Sequence, residues 1–250
     1  MTESLYDSID DYYTKFVHKE LQNVHSHFSL RTNDILRILG DVDGKEVCDL
    51  ACGEGYLSRI IAQRGGNVTA VDISSKLLQQ ARKRSKDFTI KFLLDDAQTL
   101  SKIADESFDV AICNMALMDI PDILPIFHTV SRVLKIKGRF IIALLHPCFE
   151  SPFTVPETIA EADKAGNYVA CRVLHYNQEG LWHSGGQGIR GKVGAYHRKI
   201  STYFNGLIQA GFMFEEISEP TLPETIKATS FDAQWIQKIP RTLIISCAKS

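Results

Sequence analysis

The sequence has few features that would mark a membrane, secreted or nucleic-acid-binding protein. No run of apolar residues is long enough to span a bilayer, and the first residues, MTESLYDSIDDYY, are polar and acidic, unlike a signal or transit peptide. Lysine and arginine number 28 against 30 acidic residues, and no basic block occurs. This balance argues against binding to nucleic acid or to an anionic membrane surface. We therefore expect a globular protein of the cytoplasm without a membrane span.

The cysteines give no signal of a metal site or a disulfide framework. The six cysteines are scattered, several lie inside apolar runs, and the spacing C-x-x-C does not occur. Buried, reduced thiols are the plainest interpretation, which again suits the cytoplasm. We expect no metal.

The clearest pattern that is present lies in residues 44–72. An apolar run at 47–50 is followed by a turn of small residues at 51–55, a helical pattern and a second apolar run that ends at Asp72. Strand, turn, helix and strand in this order form a βαβ unit, whose two strands are parallel. Because ligands of open α/β sheets bind at the carboxyl ends of the strands, we expect a ligand between the turn and Asp72.

The turn does not fit the dinucleotide fingerprint G-x-G-x-x-G. If the second glycine is aligned on Gly53, Tyr56 takes the place of the third; if it is aligned on Gly55, Ser58 does. The third glycine allows close packing of helix on strand, and neither side chain can replace it. A nucleotide-dependent oxidoreductase is therefore a rival interpretation that the missing glycine disfavours.

The stretch instead resembles motif I of class I S-adenosylmethionine-dependent methyltransferases, hydrophobic-hydrophobic-Asp-Leu-small-Cys-Gly-x-Gly. Here residues 47–55 read VCDLACGEG, with Ala51 where a glycine is usual. The resemblance covers most of residues 30–250 and is to the small-molecule branch, methyltransferase domain 11-like, which includes enzymes of ubiquinone and menaquinone biosynthesis. It implies S-adenosyl-L-methionine as the cofactor.

The resemblance also implies the architecture. We expect an α/β fold with a doubly wound, seven-stranded, mostly parallel sheet, the Rossmann-like methyltransferase fold, whose last strand is antiparallel. Residues 150–199, which prolines and glycines interrupt, are too long for a simple connection and predict an inserted cap of short antiparallel strands. The expected parts are an N-terminal helical lid at 1–40, a cofactor-binding core at 41–149, a substrate cap at 150–199, and a C-terminal helix with the last two strands of the sheet at 200–250.

Apolar periodicity predicts the remaining elements. Helices are expected at 9–24, 30–39, 123–134 and 200–210, and Ser74 is a candidate N-cap of a further helix. Strands are expected at 90–94, 108–113, 139–145, 168–176, 193–198, 212–217 and 242–248, with a turn at 135–138.

The cofactor residues that the resemblance implies begin at the first turn. Asp49 would orient the turn and face the aminoacyl ammonium of the cofactor, although a turn-forming carboxylate is the structural alternative. Gly53 and Gly55 can adopt positive φ and would bring backbone N–H groups close to the cofactor. Asp72 lies 19 residues after Gly53, the distance at which a carboxylate reaches a ribose in such folds.

The adenine would lie between the ends of the second and third strands. Ile73 would lie against its face, and Asp96 and Ala97 resemble the third motif of the family. A carboxylate there can accept a hydrogen bond from the adenine amine, while the Ala97 N–H donates to a ring nitrogen. Asp95 competes with Asp96 for this role.

The end of the fourth strand would lie under the sulfonium. Asn114 and Met115 occupy the fourth motif of the family. The sequence differs there from the Asn-Pro-Pro-Tyr pattern of many enzymes that methylate base amines, which weakens a nucleobase-methylating interpretation.

His146 is the candidate catalytic residue. It follows the fifth strand, where an imidazole could take a proton from a hydroxyl or amine nucleophile, although a structural histidine bonded to backbone is an equal alternative. Candidates for contact with the substrate or for closing the site are Tyr12, Tyr13 and His27 of the lid, Met118 after the fourth strand, and Tyr196 and His197 of the cap.

Together these features predict transfer of a methyl group from S-adenosylmethionine to an O, N or C nucleophile of a small molecule, which leaves S-adenosylhomocysteine. A tRNA or protein methyltransferase and a non-catalytic S-adenosylmethionine-binding protein are alternatives. A homodimer is left open.

Overall fold

The computed structural model describes residues 4–149, 154–159, 168–184, 186–227 and 231–250. Its strands are β1 (Glu46–Leu50), β2 (Asn67–Asp72), β3 (Ile90–Leu94), β4 (Phe108–Asn114), β5 (Leu134–Leu145), β6 (Thr154–Ile159), β7 (Tyr168–Val173), β8 (Gly180–Trp182), β9 (Ala195–His197), β10 (Phe212–Ser218) and β11 (Thr242–Lys249). Its α-helices are α1 (Asp10–Leu21), α2 (His27–Leu39), α3 (Tyr56–Gln63), α4 (Ser75–Arg84), α5 (Leu124–Val133), α6 (Ile189–Lys192), α7 (Ile200–Gln209) and α8 (Phe231–Lys238), and single 3₁₀ turns occur at Leu5–Ser8 and Leu117–Asp119.

A seven-stranded sheet in the order β10-β11-β5-β4-β1-β2-β3 forms the centre of the molecule. Parallel ladders join β5 to β4, β4 to β1, β1 to β2 and β2 to β3, whereas β11 runs antiparallel to both β5 and β10. The strand order reverses direction at β1, as in a doubly wound sheet, so the connections that follow β1 and β4 lead to helices on opposite faces and leave a crevice between them. The predicted fold class is confirmed.

Helices cover both faces of the sheet, which explains why its inner strands are apolar along their whole length. On one face α2, α3 and α4 pack side chains such as Ile35, Ile61 and Leu78 against β1 and β2. On the other face Phe127 of α5 and Leu207 of α7 pack against β4 and β5. All five side chains are fully buried, and each burial of this kind stabilises the fold by about 1.5–3 kcal/mol.

The strand before the cap is longer than the sequence predicts. Residues 135–138 belong to β5 rather than to a separate turn. Phe108 pairs with Leu134 but Val110 pairs with Arg139, so β5 contains extra residues opposite β4, and Lys137 takes a φ of 61° among them. The turn predicted from these residues is therefore an irregularity within β5, and the strand continues beyond it.

The cap region differs from the prediction in its pairing. The strand expected at 168–176 ends at Val173 and pairs antiparallel with β6, which the sequence did not predict. The strand expected at 193–198 is the shorter β9, which pairs with β8 and follows α6. Residues 150–153, 160–167 and 185 of the expected cap lie outside the described residues.

The other boundaries agree closely with expectation. The two predicted N-terminal helices are α1 and α2, with α1 ending three residues early at Leu21 and α2 beginning at His27. Ser74 is the N-cap of α4, where its hydroxyl accepts a hydrogen bond from the Leu77 N–H at 3.0 Å.

Candidate functional site

A cavity of about 400 Å³ lies at the carboxyl ends of β1, β2, β3 and β4, within the range of roughly 300–1,000 Å³ typical of small-molecule sites. The structure brings eleven of the predicted site residues into its lining: Tyr13, Ala51, Gly53, Asp72, Ile73, Asp96, Ala97, Asn114, Met115, Met118 and Tyr196. Six others do not line it: Tyr12, His27, Asp49, Gly55, His146 and His197.

The turn after β1 takes a left-handed backbone that its small residues permit. Ala51, Gly53 and Gly55 have φ values of 50°, 58° and 78°. Two observations favour glycine at position 53. Its φ is positive, and an added Cβ would lie 3.2 Å from Cε1 of Tyr13, which is a crowded contact. The non-glycine Ala51 is strained in this conformation, which accounts for the glycine that is usual at this position.

Asp72 ties the turn to the next strand. Its Oδ2 accepts a hydrogen bond from the Gly53 N–H at 2.7 Å, and its Oδ1 accepts one from the Ser74 N–H at 2.8 Å. The Gly53 N–H, which the sequence assigned to a ligand, therefore points to Asp72. Each carboxylate oxygen keeps a further lone pair, so Asp72 can still accept two hydroxyl donors.

Two carboxyl groups beneath the turn are held in an environment that disfavours their negative charge. Burial raises the pKa of Asp49 to about 7, although the Ser58 hydroxyl donates to its Oδ2 at 2.5 Å. Burial likewise raises the pKa of Asp72 to about 6, opposed by the Ser74 and Gly53 N–H groups. A positively charged ligand nearby would favour the ionised form of both groups.

Glu54 anchors the outer side of the turn. Its carboxylate is buried, and the Arg59 guanidinium binds both of its oxygens, at 2.9 and 3.0 Å. Arg84 of α4 approaches the same carboxylate at 3.6 Å. Burial raises the pKa of Glu54, and the two arginines oppose this shift. The turn is thereby fixed to the two helices that follow it.

The structure separates the two candidates at the end of β3. Asp95 is buried in its own loop, where its oxygens accept hydrogen bonds from the N–H groups of Asp96 and Lys102 at 2.9 Å each, and it does not line the cavity. Asp96 lines the cavity beside Ala97 and Gln98, and its Oδ1 accepts a hydrogen bond from the Gln98 N–H at 2.8 Å.

The end of β4 presents an unsatisfied polar atom. Nδ2 of Asn114 donates to the Tyr56 hydroxyl at 2.5 Å, whereas its buried Oδ1 has no hydrogen-bond partner in the described part of the chain. The next residue, Met115, lines the cavity with a φ of 60°. Such strain and such an orphan acceptor are features of ligand sites.

The N-terminal segment covers the cavity. Tyr6 and Tyr13 line it and meet edge to face, with ring centroids 5.3 Å apart. Asp7 fastens this segment to the start of α4, because its Oδ1 accepts hydrogen bonds from the Ser74 hydroxyl at 2.6 Å and the Lys76 N–H at 3.2 Å. Tyr12 lies outside the lining, and its hydroxyl donates to the Gln187 carbonyl at 3.4 Å.

The three predicted histidines lie away from the cavity lining. His146 is 2% exposed; its Nδ1 accepts a hydrogen bond from the Cys148 N–H, and its Nε2 lies 2.7 Å from Glu219. This bonding argues against the proton-acceptor role and favours the structural alternative. His197 is bonded to the Tyr176 carbonyl at 2.9 Å. His27 begins α2, and burial together with the nearby Arg241 lowers its pKa to about 3.

Thirteen further lining residues were missed from the sequence, and five of them have polar side chains: Ser4, Tyr6, Gln98, Asp119 and His183. Local signals were present at Gln98, which directly follows the predicted Asp96 and Ala97, and at Asp119, an acidic residue that closes the polar and methionine-rich segment after β4. Ser4, Tyr6 and His183 reach the cavity through contacts between segments distant in sequence.

The donor and acceptor groups in the lining fit S-adenosylmethionine. The cofactor has a net positive charge, from a sulfonium and an ammonium against one carboxylate, and an adenosine whose hydroxyls and amine are hydrogen-bond donors. Among the residues that the structure describes, the lining includes three carboxylates, Asp72, Asp96 and Asp119, and neither lysine nor arginine. Asn114, another lining residue, has a buried side-chain oxygen without a hydrogen-bond partner in the described part of the chain.

None of the helices in the described ranges is long and apolar enough to cross a bilayer.

A family model described as a methyltransferase domain matches residues 41–189. An uncharacterised protein of Haemophilus influenzae is 27% identical over 227 residues, which is 88% of this chain and 87% of that protein. The ubiquinone biosynthesis O-methyltransferase of Alkalilimnicola ehrlichii is 29% identical over 130 residues, only about half of each chain (51% and 52%).

The fold has a close solved counterpart. The structure of an S-adenosylmethionine-dependent methyltransferase from Mesorhizobium loti superimposes with a TM-score of 0.72 at 25% identity, over 90% of this chain and 98% of that one. The family match, the sheet order and the crevice at β1 agree with one another. The chain therefore belongs to the methyltransferase-domain family, and it is a class I S-adenosylmethionine-dependent methyltransferase whose cofactor is S-adenosyl-L-methionine.

Proposed function

We propose that the cavity holds S-adenosylmethionine along the ends of β1 to β4 and that the methyl acceptor is a small molecule bound between the end of β4 and the cap. Asp72 accepts hydrogen bonds from the ribose hydroxyls, and Ile73 lies against the adenine. Asp96 and the Ala97 N–H bind the polar edge of the adenine.

The aminoacyl part of the cofactor lies over the turn after β1 in this proposal. Asp49 supplies negative charge from below the turn, and Ala51 and Gly53 leave room for close approach. The orphan oxygen of Asn114 and the adjacent Met115 backbone face the aminoacyl and sulfonium groups. The support for this arrangement is the coincidence of carboxylates, small residues and an unsatisfied amide oxygen in one cavity.

When bound, the cofactor supplies a methyl group on a sulfonium, which is already a good leaving group. The protein must therefore align the acceptor in line with that methyl group and exclude water. Tyr6 and Tyr13 close the cavity from the lid side and exclude solvent. Positive charge is lost from the cofactor in the reaction, so no acid is required to assist departure of the thioether.

A small, mainly apolar acceptor is supported by the far wall of the cavity. Met118, Ile120 and Pro121 from the segment after β4 lie there together with Leu181 and Val193 from the cap. The name of the Alkalilimnicola relative, a ubiquinone biosynthesis O-methyltransferase, is consistent with an acceptor of this kind. The match to that relative covers only 51% of the chain, so the acceptor is inferred from the cavity.

The observation that carries the proposal is Asp72, whose carboxylate lines the cavity while both of its oxygens are held by backbone N–H groups. Titration calorimetry with S-adenosylhomocysteine should detect binding to the wild type and a loss of about 1–3 kcal/mol in Asp72→Ala, because ribose hydroxyls would lose a charged acceptor. Asp87→Ala, which removes an exposed aspartate after α4, is the matched control and should bind normally. Unchanged affinity in Asp72→Ala would remove Asp72 from the site.

A further inference from the structure

The acceptor end of the cavity contains a carboxylate to which the cofactor assignment gives no role. Asp119 ends the 3₁₀ turn after β4 and lines the cavity together with Met118 and Ile120. It lies beyond Asn114 and Met115, on the cap side of the cavity, since its partners come from the lid and the cap.

Two groups from distant segments hold this carboxylate in place. The Tyr6 hydroxyl of the lid donates to Oδ2 at 3.0 Å, and the Arg190 guanidinium of α6 donates to Oδ1. Arg190 also donates to the Gly194 carbonyl at 3.1 Å. Lid, core and cap therefore meet at Asp119, and the carboxylate has one orientation.

Asp119 nevertheless retains capacity to accept further hydrogen bonds. An ionised carboxylate offers about four acceptor sites, and Tyr6 and Arg190 use two of them. Burial raises the pKa of Asp119, whereas Arg190 and the Tyr6 hydroxyl oppose this shift. A buried carboxylate that faces a cavity with free lone pairs favours a ligand that brings a hydrogen-bond donor.

The charge of the lining restricts the ligand further. Asp72, Asp96 and Asp119 are acidic, and in the described residues the lining has no lysine or arginine, because Arg190 lies behind Asp119. An anionic acceptor would meet like charges without a paired cation, at a cost in binding. The surrounding wall is apolar, with Ile120, Pro121, Leu181 and Val193.

We propose that Asp119 is the residue that selects the methyl acceptor, and that the acceptor is a non-anionic molecule with an apolar body and a hydroxyl or amine group that donates a hydrogen bond to this carboxylate. This inference rests on the proposed function, since it assumes that the cofactor occupies the end of the cavity near Asp72. Arg190 and Tyr6 act as positioning residues for Asp119.

The test uses three small aromatic probes of similar shape, bound to protein saturated with S-adenosylhomocysteine and followed by ligand-observed NMR titration. In 4-methylphenol a hydroxyl replaces one methyl of 1,4-dimethylbenzene, and 4-methylbenzoate is anionic. Wild type should bind 4-methylphenol about tenfold more tightly than 1,4-dimethylbenzene, the ratio expected of one hydrogen bond to a charged group, and should bind 4-methylbenzoate more weakly than either.

Asp119→Asn should reduce the preference for 4-methylphenol to about twofold or less, since an amide loses the charge that strengthens the bond. It should also improve binding of 4-methylbenzoate, because the Arg190 charge is no longer balanced. Asp122→Asn is the matched control, an exposed aspartate three residues farther along the chain, and should leave all three affinities as in the wild type.

Each outcome decides the proposal. A wild-type protein that binds S-adenosylhomocysteine but does not distinguish 4-methylphenol from 1,4-dimethylbenzene overturns it while leaving the proposed function intact, and this measurement does not depend on the folding of any variant. A wild-type preference that persists in folded Asp119→Asn also overturns it, because a purely structural aspartate would change stability but not the ratio. Failure of the wild type to bind S-adenosylhomocysteine overturns the proposed function and this inference together.

Discussion

Replacing Asp49 with asparagine should stabilise the free protein at alkaline pH and weaken its binding of S-adenosylmethionine. Asp49 is 2% exposed beneath the turn, and burial raises its pKa from an ordinary 3.8 to about 7. Asparagine keeps an oxygen that can accept the hydrogen bond from Ser58 but cannot ionise. The variant therefore removes the charge and keeps the contact.

The sign of the effect follows from proton linkage. The folded protein holds the Asp49 proton more tightly than the unfolded chain, so the resulting stability is present in full below about pH 4 and is lost as pH rises through about 7. A pKa difference of about 3 corresponds to about 4 kcal/mol, the upper limit of this loss. We expect Asp49→Asn to raise the free energy of unfolding by about 2–4 kcal/mol at pH 8 and to change it little at pH 4.

Cofactor binding should change in the opposite direction. The ionised Asp49 lies near the positive groups of the bound cofactor, so its removal should weaken binding by about 1–3 kcal/mol at pH 8. In the wild type the affinity for S-adenosylmethionine should rise from pH 5.5 to pH 8 as Asp49 and Asp72 ionise, with proton release on binding between these values. Urea denaturation at pH 4 and 8, and calorimetry in two buffers of different ionisation enthalpy, measure both effects.

Asp109→Asn is a control for which the expected change in the free energy of unfolding has the opposite sign. Asp109 is more exposed, and although burial raises its pKa, the combined hydrogen bonds from Lys135 and the Glu46 N–H lower the pKa overall. Asp109→Asn should therefore destabilise the protein above pH 4 and leave cofactor affinity unchanged. If Asp49→Asn lowers stability equally at pH 4 and pH 8, or binds the cofactor like the wild type, the electrostatic account of the turn is refuted.

Three further variants test the parts around the cavity. Asp7→Ala removes the acceptor that fastens the N-terminal segment to α4 and should speed dissociation of S-adenosylhomocysteine about 5- to 10-fold in stopped-flow measurements, the effect of about one hydrogen bond. Glu54→Gln leaves two arginines without their buried partner and should lower the free energy of unfolding by about 2–4 kcal/mol in urea denaturation. His146→Gln should lower the free energy of unfolding by about 1–3 kcal/mol, because two hydrogen bonds of a buried ring are disturbed, while the pH profile of methyl transfer stays as in the wild type.

For each of these three predictions, one result would contradict it. Dissociation at the wild-type rate in Asp7→Ala would separate the N-terminal segment from cofactor retention. Glu224→Gln breaks an exposed ion pair with Lys238 and should leave the free energy of unfolding nearly unchanged. An equally small change in Glu54→Gln would show that burial gives the Glu54 ion pairs no added importance. Loss of the acidic limb of the pH profile in His146→Gln, the limb that reports a group that must be deprotonated, would restore His146 as the proton acceptor.

The βαβ unit at the start of the sheet was predictable because its signals are local. Apolar runs, small turn residues and an aspartate at a set distance occupy a single stretch of 29 residues, from 44 to 72, and the structure keeps them in that order. The strained φ of Ala51 also follows from the motif, since it occupies a glycine position. The same locality explains the agreement for α4 and its N-cap Ser74.

The remainder of the site depends on contacts that no local pattern records. His146 is a candidate base because it follows a strand, but the bonding of its ring depends on Glu219, 73 residues away. Asp95 and Asp96 are adjacent carboxylates, and only the folding of their loop directs one inward. Asp119 acquires its partners from positions 6 and 190, which are brought together only in the folded chain.

The most direct test of the central claim is a crystal structure of the protein with S-adenosylhomocysteine. We expect its density in the cavity at the ends of β1 to β4, with the ribose hydroxyls within hydrogen-bond distance of Asp72, the adenine beside Asp96 and Ala97, and the thioether facing the side of the cavity that contains Asp119. Density for the bound product at any other place, or a ribose that does not touch Asp72, would contradict the account of the site.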